Sequence, residues 1–432
     1  MTRRILLFVL IVGLAAGPAA AQAKPAKVIA IKNVRIIPVV GEDIDGGTIL
    51  IRDGKIEALG KDVAVPAGAE VVDARELRAY PGMIDGYSFL GLQEITGVNE
   101  TVDNRETGRI NPQVRALEAL RYDSIHIPIS RSNGITAALI APTGGLISGQ
   151  SALIKLDGWT ERQMAIQVSA AMQIEFPAIR GGRGGFGGGG GMRGGGAPMA
   201  DAARLITELK DLFAKARAYE KRKAYAAKTP SAALPAFDET SEFLLPVIKG
   251  ELPVMISVHA DRDIRAAIQF VKDENLKAIF YGAEQGWKVA DDIKKANIPV
   301  IISDLYAMPP VWEDGYDQLF RNPVLLNKAG VKIAFASSSA TVAKDLPYHA
   351  AKAAAFGLEK KEALKAVTIY PAEIFGVDKI MGSLEKGKAA NIVLADGDIL
   401  EQRTNIKQVF IDGRAVDLSN RYTELLEKFK RK

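Results

Sequence analysis

The chain has 432 residues, of which 48% are apolar and 25% are charged, and this is the composition of an ordinary globular protein. The formal net charge of +5 describes a mixed, solvated surface and gives no specific indication of nucleic-acid binding. Because the sequence contains no cysteine, disulfides and a lipid-modified cysteine anchor are both excluded.

The N-terminus has the features of a secretory signal peptide. Arg3 and Arg4 precede an apolar stretch over residues 5–16, and small residues lead to a predicted cleavage after Ala21 or Ala23. The apolar stretch is shorter than the roughly 20 residues that span a bilayer, which argues against a membrane anchor. We therefore expect residues 1–23 to be removed, and the mature chain to be periplasmic or secreted and not associated with a membrane.

Short β runs with turn residues occupy both ends of the mature chain. Asp53-Gly54 separates two β-rich runs near the start, and Asp412-Gly413 does the same near the end, which is the pattern of β-hairpins. We predict a small composite β-sandwich domain that is built from residues 24–78 and 380–418. A C-terminal helix over residues 419–432 is expected to follow it.

The middle of the chain alternates strands with helices. His259, Tyr281 and Ser303 lie at the ends of three predicted strands and are separated by 22 residues each, and helices are expected to begin near Asp261 and Glu284. Repeated βα units of this length favour a parallel sheet with right-handed crossovers. We predict an α/β fold with a (β/α)₈ TIM-like barrel, whose sites lie at the carboxyl ends of its strands.

This barrel is assigned to residues 79–379. Its other predicted strands are Tyr80–Ile84, Thr136–Ile140, Ala152–Lys155 and Val331–Phe335.

A glycine-rich tract over residues 181–196 interrupts the predicted barrel. Such a stretch cannot bury enough apolar surface to offset its backbone entropy, so we predict a disordered loop. With two arginines in an exported protein, its resemblance to RNA-binding tails is a weak indication, and we expect no nucleic-acid partner. An amphipathic helix should follow, with an apolar stripe of Leu205, Leu209, Leu212, Ala216 and Tyr219.

Two segments resemble a known family. Tyr80-Pro-Gly-Met-Ile-Asp85 is similar to the start of barrel strand one in the metal-dependent amidohydrolase superfamily, in particular its imidazolonepropionase-like branch. The stretch from Ala363 to Ala372, together with residues 382–388 and 391–393, resembles the closing segment of that family. The resemblance extends over nearly the whole mature chain.

This resemblance implies one or two divalent metals at the mouth of the barrel. They would polarise a carbonyl and lower the pKa of a bound water. The family's ligands are a His-x-His pair after strand one, an acidic residue or carboxylated lysine from a middle strand, one histidine each from strands five and six, and an aspartate from strand eight.

At the positions of this sequence that match the family's ligands, most of the ligand residues are missing. Residues i and i+2 of a strand share a face, but the two positions after strand one hold Tyr87 and Phe89. Strand five keeps His259, strand six ends in Tyr281, and the expected Thr-Asp pair reads Ser337-Ser338. The chain has only three histidines, so four of them cannot be supplied to a binuclear site.

Lys155 is a candidate for the middle-strand lysine. His126 and His349 lie in stretches that are predicted to be helical or loop-like, away from the strand ends, so they do not complete the set.

The remaining residues leave one alternative with a bound metal. His259 could hold one divalent metal such as zinc together with Glu284 or Asp85, since a mononuclear site needs three protein ligands and a water. We favour instead a histidine that binds no metal and is hydrogen-bonded inside the cavity that holds the metals in the family. For Asp85, a role at the strand end is equally compatible with the sequence.

The serines Ser337, Ser338 and Ser339 raise the question of a nucleophile. No Gly-x-Ser-x-Gly elbow surrounds them, so a role as small polar filling of the cavity is favoured. The candidate pocket comprises Asp85, Tyr87, Phe89, Tyr281, Glu284 and Ser338.

We therefore predict an exported amidohydrolase relative with a degenerate metal site and no resident cofactor. It would bind a small molecule or support an active paralogous subunit. The alternative is a working hydrolase of C–N bonds, in dipeptides or acyl-amino acids, with a reduced mononuclear site around His259.

Overall fold

The structure is a computed structural model that describes residues 27–179, 199–307 and 314–431. The predicted signal peptide and the predicted disordered loop at residues 181–196 lie outside the described residues. Within the described ranges, no helix is both long enough and apolar enough to cross a membrane.

The described residues form sixteen strands, which are divided between two eight-stranded sheets. In chain order the strands are β1 (Val28–Ile36), β2 (Ile44–Arg52), β3 (Lys55–Gly60), β4 (Glu70–Asp73), β5 (Arg78–Pro81), β6 (Met83–Ser88), β7 (Ile135–Ile140), β8 (Ile147–Lys155), β9 (Ala165–Glu175), β10 (Val254–Val258), β11 (Ala278–Gly282), β12 (Val300–Ile302), β13 (Ile333–Phe335), β14 (Ile392–Ala395), β15 (Ile406–Ile411) and β16 (Arg414–Val416).

The α-helices of the described residues surround the second sheet or follow the last strand. They are α1 (His126–Arg131), α2 (Glu161–Met164), α3 (Met199–Lys228), α4 (Glu239–Ile248), α5 (Asp261–Asp273), α6 (Ala290–Lys295), α7 (Gln318–Lys328), α8 (Leu346–Ala355), α9 (Lys360–Lys365), α10 (Ile369–Ile374) and α11 (Arg421–Lys430).

Both ends of the chain contribute to the first sheet, the terminal sheet. Its order is β16-β15-β14-β5-β1-β2-β3, with β4 beside β1, and Val393 of β14 pairs with Tyr80 of β5. The two predicted Asp-Gly hairpins form and touch each other, because a Cβ added to Gly54 would lie 2.9 Å from the carbonyl oxygen of Asp412. The chain ends therefore build one composite sheet, and its arrangement as a sandwich stays a prediction.

The second sheet is a nearly closed, barrel-like sheet. Its order runs from β6 to β13 without interruption, and the edge strands meet where the N–H of Ser338 donates to the carbonyl oxygen of Tyr87 at 3.0 Å. Alternate residues of its strands pack inside the barrel, among them Ile84, Leu139 and Met255. The prediction of an α/β barrel is confirmed in outline.

One strand departs from the predicted (β/α)₈ pattern. β8 runs antiparallel to both β7 and β9, whereas the other neighbouring pairs of this sheet are parallel. Only residues 141–146 separate β7 from β8, and a parallel pair needs a crossover of a dozen or more residues. The chain therefore turns back and pairs with its own preceding strand.

The predicted strand Tyr80–Ile84 is divided in the structure. β5 belongs to the terminal sheet and β6 to the barrel, with Gly82 between them. A Cβ at Gly82 would lie within 2.1 Å of the side chain of Thr136, so this junction has no room for a larger residue. One apolar run thus supplies a strand to each sheet.

The predicted helices are confirmed with one exception. α5 begins at Asp261, and in α3 the side chains of Leu209, Ala216 and Tyr219 are buried. Glu284 does not begin a helix but lies in a turn, and α6 begins only at Ala290. This turn places Glu284 at the end of the barrel that carries the candidate site.

Candidate functional site

The candidate site lies at the carboxyl ends of the parallel barrel strands. Parallel strands bring these ends to one edge, so residues from distant parts of the sequence meet there. We call this edge the mouth. It is formed by Asp85 and Tyr87 of β6, by Phe89 just after it, and by the residues that end or follow β9 to β13.

An aromatic cluster occupies the mouth between β6 and β11. The rings of Tyr87 and Tyr281 stack with centroids 3.9 Å apart and an interplanar angle of 17°. Phe89 contacts Tyr87 edge-on, with centroids 5.7 Å apart. Tyr87 is 3% exposed, and burial, with smaller effects of Tyr281 and Glu175, raises the pKa of its phenol well above the usual value. Tyr87 is therefore a neutral, packed ring.

His259 and Glu284 form an ion-paired contact beside this cluster. Nδ1 of His259 lies 2.7 Å from Oε2 of Glu284, and the hydroxyl of Ser303 donates to Oε1 of Glu284 at 2.9 Å. Burial opposes ionisation of Glu284, but the charge and hydrogen bond of His259 outweigh it and lower the pKa of this carboxyl to about 2. Glu284 is thus ionised, and both of its oxygens have a partner.

A tight turn after β11 brings Glu284 to His259. Gly282 has φ +95°, and an added Cβ would lie 2.8 Å from the carbonyl oxygen of Val258 and 2.9 Å from Nδ1 of His259. Ala283 continues in the left-handed region with φ +49°, and its carbonyl oxygen accepts a hydrogen bond from the side chain of Asn322 at 2.9 Å. Only glycine suits the first position of this turn.

Asp85 belongs to a separate hydrogen-bond network at the junction of β6 and β13. Its carboxylate accepts hydrogen bonds from the backbone N–H of Ser337 at 2.9 Å and from the Ser337 hydroxyl. The Ser337 hydroxyl also lies 3.3 Å from that of Ser88. Asp85 is completely buried, and this burial raises the pKa of its carboxyl to about 7 although the hydrogen bonds act in the opposite direction.

Ser338 has an unusual backbone conformation at the same junction. Its φ is +56°, and its N–H donates to the carbonyl oxygen of Tyr87. Its hydroxyl is buried and has no hydrogen-bond partner within the described part of the chain. The strain of a non-glycine residue in this region is typical of functional or ligand-contacting positions.

Glu175 is a mouth residue that the sequence analysis missed. It ends β9, where it lies in register with Ser257 of β10, and its charge acts on the pKa of Tyr87. The strand itself was not predicted, although Ile166, Val168, Ala170, Met172 and Ile174 alternate with other residues in its sequence. That period of two was the signal that could have located Glu175.

Comparisons with known proteins point to one family. The amidohydrolase family model matches residues 318–416, which run from α7 to β16. A protein named amidohydrolase tasK, from Hapsidospora irregularis, is 23% identical over an alignment 410 residues long, which covers 85% of this chain and 40% of that protein. This chain resembles the metal-dependent amidohydrolase superfamily, and both matches support that assignment. It spans less than half the length of this curated relative.

Solved structures of amidohydrolases share the fold. An amidohydrolase from Thermotoga maritima superposes with a TM-score of 0.79 at 23% identity, covering 90% of this chain and 99% of that one. A prolidase in complex with N-methylphosphonate-L-proline gives a TM-score of 0.55 at 14% identity, with 90% and 100% coverage. Phenylurea hydrolase B gives 0.53 at 17% identity, with 91% and 97% coverage. At these identities the likeness concerns the fold alone.

The donor atoms at the mouth do not fit the metal centre of the amidohydrolase superfamily. The described ranges contain no group of three or more His, Cys, Asp or Glu side chains that could hold a metal ion. Tyr87, Phe89 and Tyr281 fill the space with rings, His259 contacts Glu284, and the Asp85 carboxylate is hydrogen-bonded to Ser337. A neutral buried phenol and a phenyl ring are not zinc ligands.

Lys155 is far from the mouth because β8 runs in the reverse direction. It pairs with Ala137, near the start of β7, and its ammonium group forms an ion pair with Asp412 of the terminal sheet. The structure thus places this candidate for a middle-strand lysine at the opposite end of the barrel.

The other two histidines lie on helices α1 and α8. His126 begins α1, and its Nε2 lies 2.9 Å from the carbonyl oxygen of Glu94. His349 of α8 accepts a hydrogen bond from the N–H of Leu305 at its Nδ1, and burial lowers its pKa. It lines a groove of about 620 Å³ together with Asp304, which follows β12.

The structure therefore brings the predicted pocket residues together in three groups. Tyr87, Phe89 and Tyr281 form the aromatic cluster, and His259 with Glu284 forms the ion-paired contact. Asp85 and the serines form the third group, which joins the cluster through the contact of Ser338 with Tyr87. Such a surface offers ring faces, one ionised carboxylate and an imidazole, which are groups that can bind a ligand.

Proposed function

We propose that this chain is an exported amidohydrolase-family protein that binds a small molecule at the barrel mouth and no longer carries out the family's metal chemistry. The observation that supports this most is the stacking of Tyr87 on Tyr281 at 3.9 Å, because these residues occupy two of the positions that metal-binding histidines hold in the family. The barrel fold of the family would be retained, while aromatic side chains replace metal-binding histidines at the mouth.

The hydrogen bonds of the mouth support the loss of metal binding. The ionised carboxylate of Glu284 is satisfied by His259 and Ser303, and Asp85 is satisfied by Ser337. A metal would have to displace these partners. Buried polar groups that are already paired have little to gain from such an exchange.

Accessible groups at the mouth support ligand binding. The side chain of His259 is 44% exposed, and Phe89, Glu175 and Tyr281 are partly exposed. Ligand sites combine apolar or aromatic walls with a few polar anchors. The aromatic cluster would form the wall, while His259 and Glu175 would provide a donor and an anionic anchor.

Dipeptides and N-acylated amino acids are the ligands to test first. These compounds combine an apolar group with an amide and a charged end, which matches a ring face beside a carboxylate and an imidazole. A related fold is that of a prolidase bound to a proline-containing phosphonate, which adds weight to this class. An active paralogous subunit is a second possible partner, and it would be found by co-purification.

Metal analysis tests the first half of the proposal. The chain without residues 1–23 is dialysed against zinc, manganese or iron and then against buffer, and its metal content is measured. We expect well under one equivalent of each metal and no hydrolysis of an amide library. One equivalent of metal that is lost in His259→Ala, together with hydrolysis, would establish the mononuclear hydrolase instead.

Ligand binding tests the second half. Dipeptides and N-acylated amino acids are screened by thermal shift, and binders are measured by calorimetry with the parent chain and with Tyr281→Ala. We expect this substitution to weaken binding about tenfold, since ring contacts contribute about 1 kcal/mol or more. Tyr225→Ala, which removes a 65% exposed tyrosine on α3, is the matched control. Equal loss in both variants would contradict a binding site at the mouth.

A further inference from the structure

The last helix of the chain presents an apolar stripe to the outside. Tyr422, Leu425, Leu426 and Phe429 follow the spacing i, i+3, i+4 and i+7, which places them on one face of α11. Tyr422 is 53%, Leu426 is 54% and Phe429 is 56% exposed, and α11 has no buried residue. A helix that merely packed on the barrel would bury this face.

The charges of α11 are arranged around this stripe. At 3.6 residues per turn, Arg421 and Lys428 lie along one edge of the stripe and Lys430 lies along the other. Glu424 and Glu427 lie on the opposite face. The apolar stripe is therefore bordered by Arg421 and Lys428 on one side and by Lys430 on the other, where Lys430 is ion-paired with Glu427 at 3.1 Å.

This arrangement discriminates between possible occupants of the stripe. A second copy of α11 laid on the stripe would bring cationic borders together, which is unfavourable. An anionic lipid surface would accept both features, because the apolar residues enter the acyl boundary and long basic side chains reach back to phosphates. We propose that α11 lies on an anionic lipid surface and attaches the exported barrel to it.

The start of α11 is held in place by side-chain contacts. Asn420 caps the helix by accepting the N–H groups of Tyr422 and Thr423 at 3.0 and 3.3 Å. The side-chain amide of Asn420 also donates to the hydroxyl of Ser132 at 3.2 Å. A helix of this length is marginal on its own in water, so these contacts present it already formed.

An exposed tryptophan lies in a loop that is attached to the same part of the barrel. Trp159 is 76% exposed, and it follows Asp157, which accepts a hydrogen bond from Arg131 at 3.4 Å. Arg131 also donates to the carbonyl oxygen of Asp417, shortly before α11, at 2.9 Å. Tryptophan favours the boundary between lipid and water, so Trp159 would be a second contact with lipid if its ring faces the same side as the stripe.

This inference differs from the expectation that the mature chain does not associate with a membrane. That expectation was based on the absence of a spanning segment and of a cysteine anchor. A short helix that lies in the plane of the interface needs neither of them.

Vesicle binding tests the inference. The chain without residues 1–23 is used, because the apolar signal peptide would itself bind lipid. Flotation is measured with vesicles of phosphatidylcholine alone and with vesicles that also contain phosphatidylglycerol. We expect binding to the anionic vesicles to be at least about tenfold stronger and to fall as salt is raised, since surface charges are screened.

Two variants of α11 separate the contributions of stripe and charge. Tyr422→Ser with Leu426→Ser should abolish binding to anionic vesicles. Neutralising the borders with Arg421→Gln, Lys428→Gln and Lys430→Gln should weaken it about tenfold or more.

The matched control removes the same net charge elsewhere. Lys61→Gln, Lys221→Gln and Lys272→Gln replace exposed lysines on other elements and should leave binding nearly unchanged. Equal binding to both kinds of vesicle, no binding at all, or equal loss in the control would overturn the proposal. So would a dimer in light scattering that the serine variant converts to a monomer, because a second copy would then be the occupant.

Discussion

Nδ1 of His259 lies 2.7 Å from Oε2 of Glu284, and this contact joins the end of β10 to the turn after β11. His259 is the one histidine that stands at a ligand position of the family, and its Nδ1 faces a carboxylate of the protein itself. The contact gives the buried Glu284 carboxylate a partner, and this offsets part of the cost of removing its charge from water.

The first prediction concerns stability in acid. The pKa of Glu284 is lowered to about 2, so its stabilising effect is present above its ordinary pKa of 4.5 and is lost as the pH falls toward 2. Glu284→Gln should therefore lower the free energy of unfolding by about 2 kcal/mol at pH 6 and by much less at pH 3. Urea unfolding at both pH values measures the difference. Glu106→Gln, at an exposed position, should show no such dependence.

The second prediction has the opposite sign. The pKa of Asp85 is raised to about 7, so the folded state favours its neutral form, and stability should decline as the pH rises from about 4 to about 7 and then level off. Asp85→Asn keeps a polar group of the same shape and should remove this decline. Relative to the parent, the variant should gain up to a few kcal/mol between pH 4 and pH 8 in urea unfolding. A constant difference across this range would contradict the buried, titrating carboxyl.

The third prediction concerns a variant in which the family's missing metal ligands are introduced. Tyr87→His, Phe89→His, Tyr281→His and Ser338→Asp are combined, and the φ of +56° at Ser338 is one that aspartate tolerates. Because the rings of Tyr87 and Tyr281 are 3.9 Å apart, imidazoles at these positions can reach one ion. We expect the variant to retain about one equivalent of zinc after dialysis.

The control for this restoration carries leucines in place of the three new histidines and the same aspartate at position 338. It should retain no zinc. Circular dichroism has to show that both variants are folded, and a folded histidine variant without zinc would show that these positions do not form a metal site.

The fourth prediction compares two glycines. Gly282 and Gly68 both have positive φ, +95° and +85°, but only Gly282 has neighbours within 4 Å of an added Cβ. Gly282→Ala should destabilise the chain by about 2 to 3 kcal/mol, through backbone strain and the displacement of His259. Gly68→Ala should lower the free energy of unfolding by about 1 kcal/mol, because only the strain of a positive φ opposes the alanine there. Thermal unfolding checks both, and equal effects would refute the crowding at the turn.

The sequence was a good guide where the signals are local. The Asp53-Gly54 and Asp412-Gly413 hairpins, β10 and the start of α5 at Asp261 all occur where turn residues, β-branched runs or helix signals predicted them. The sequence was a poor guide to the direction of a strand and to the neighbouring strand with which it pairs. The reversal of β8, the division at Gly82 and the position of Lys155 depend on which strand pairs with which, and side-chain periodicity does not contain this information.

The amino-acid sequence by itself determined that the family's set of histidines is incomplete. The family's full set of metal ligands requires four histidines, whereas this chain has three and carries tyrosine and phenylalanine at positions 87 and 89. This conclusion does not depend on the fold, because no arrangement of the backbone can supply side chains that the sequence lacks. Only the tertiary structure decided what replaces them. The stacking of Tyr87 on Tyr281 and the contact of His259 with Glu284 join residues that are 194 and 25 positions apart, and such distances are set by barrel closure and by one tight turn.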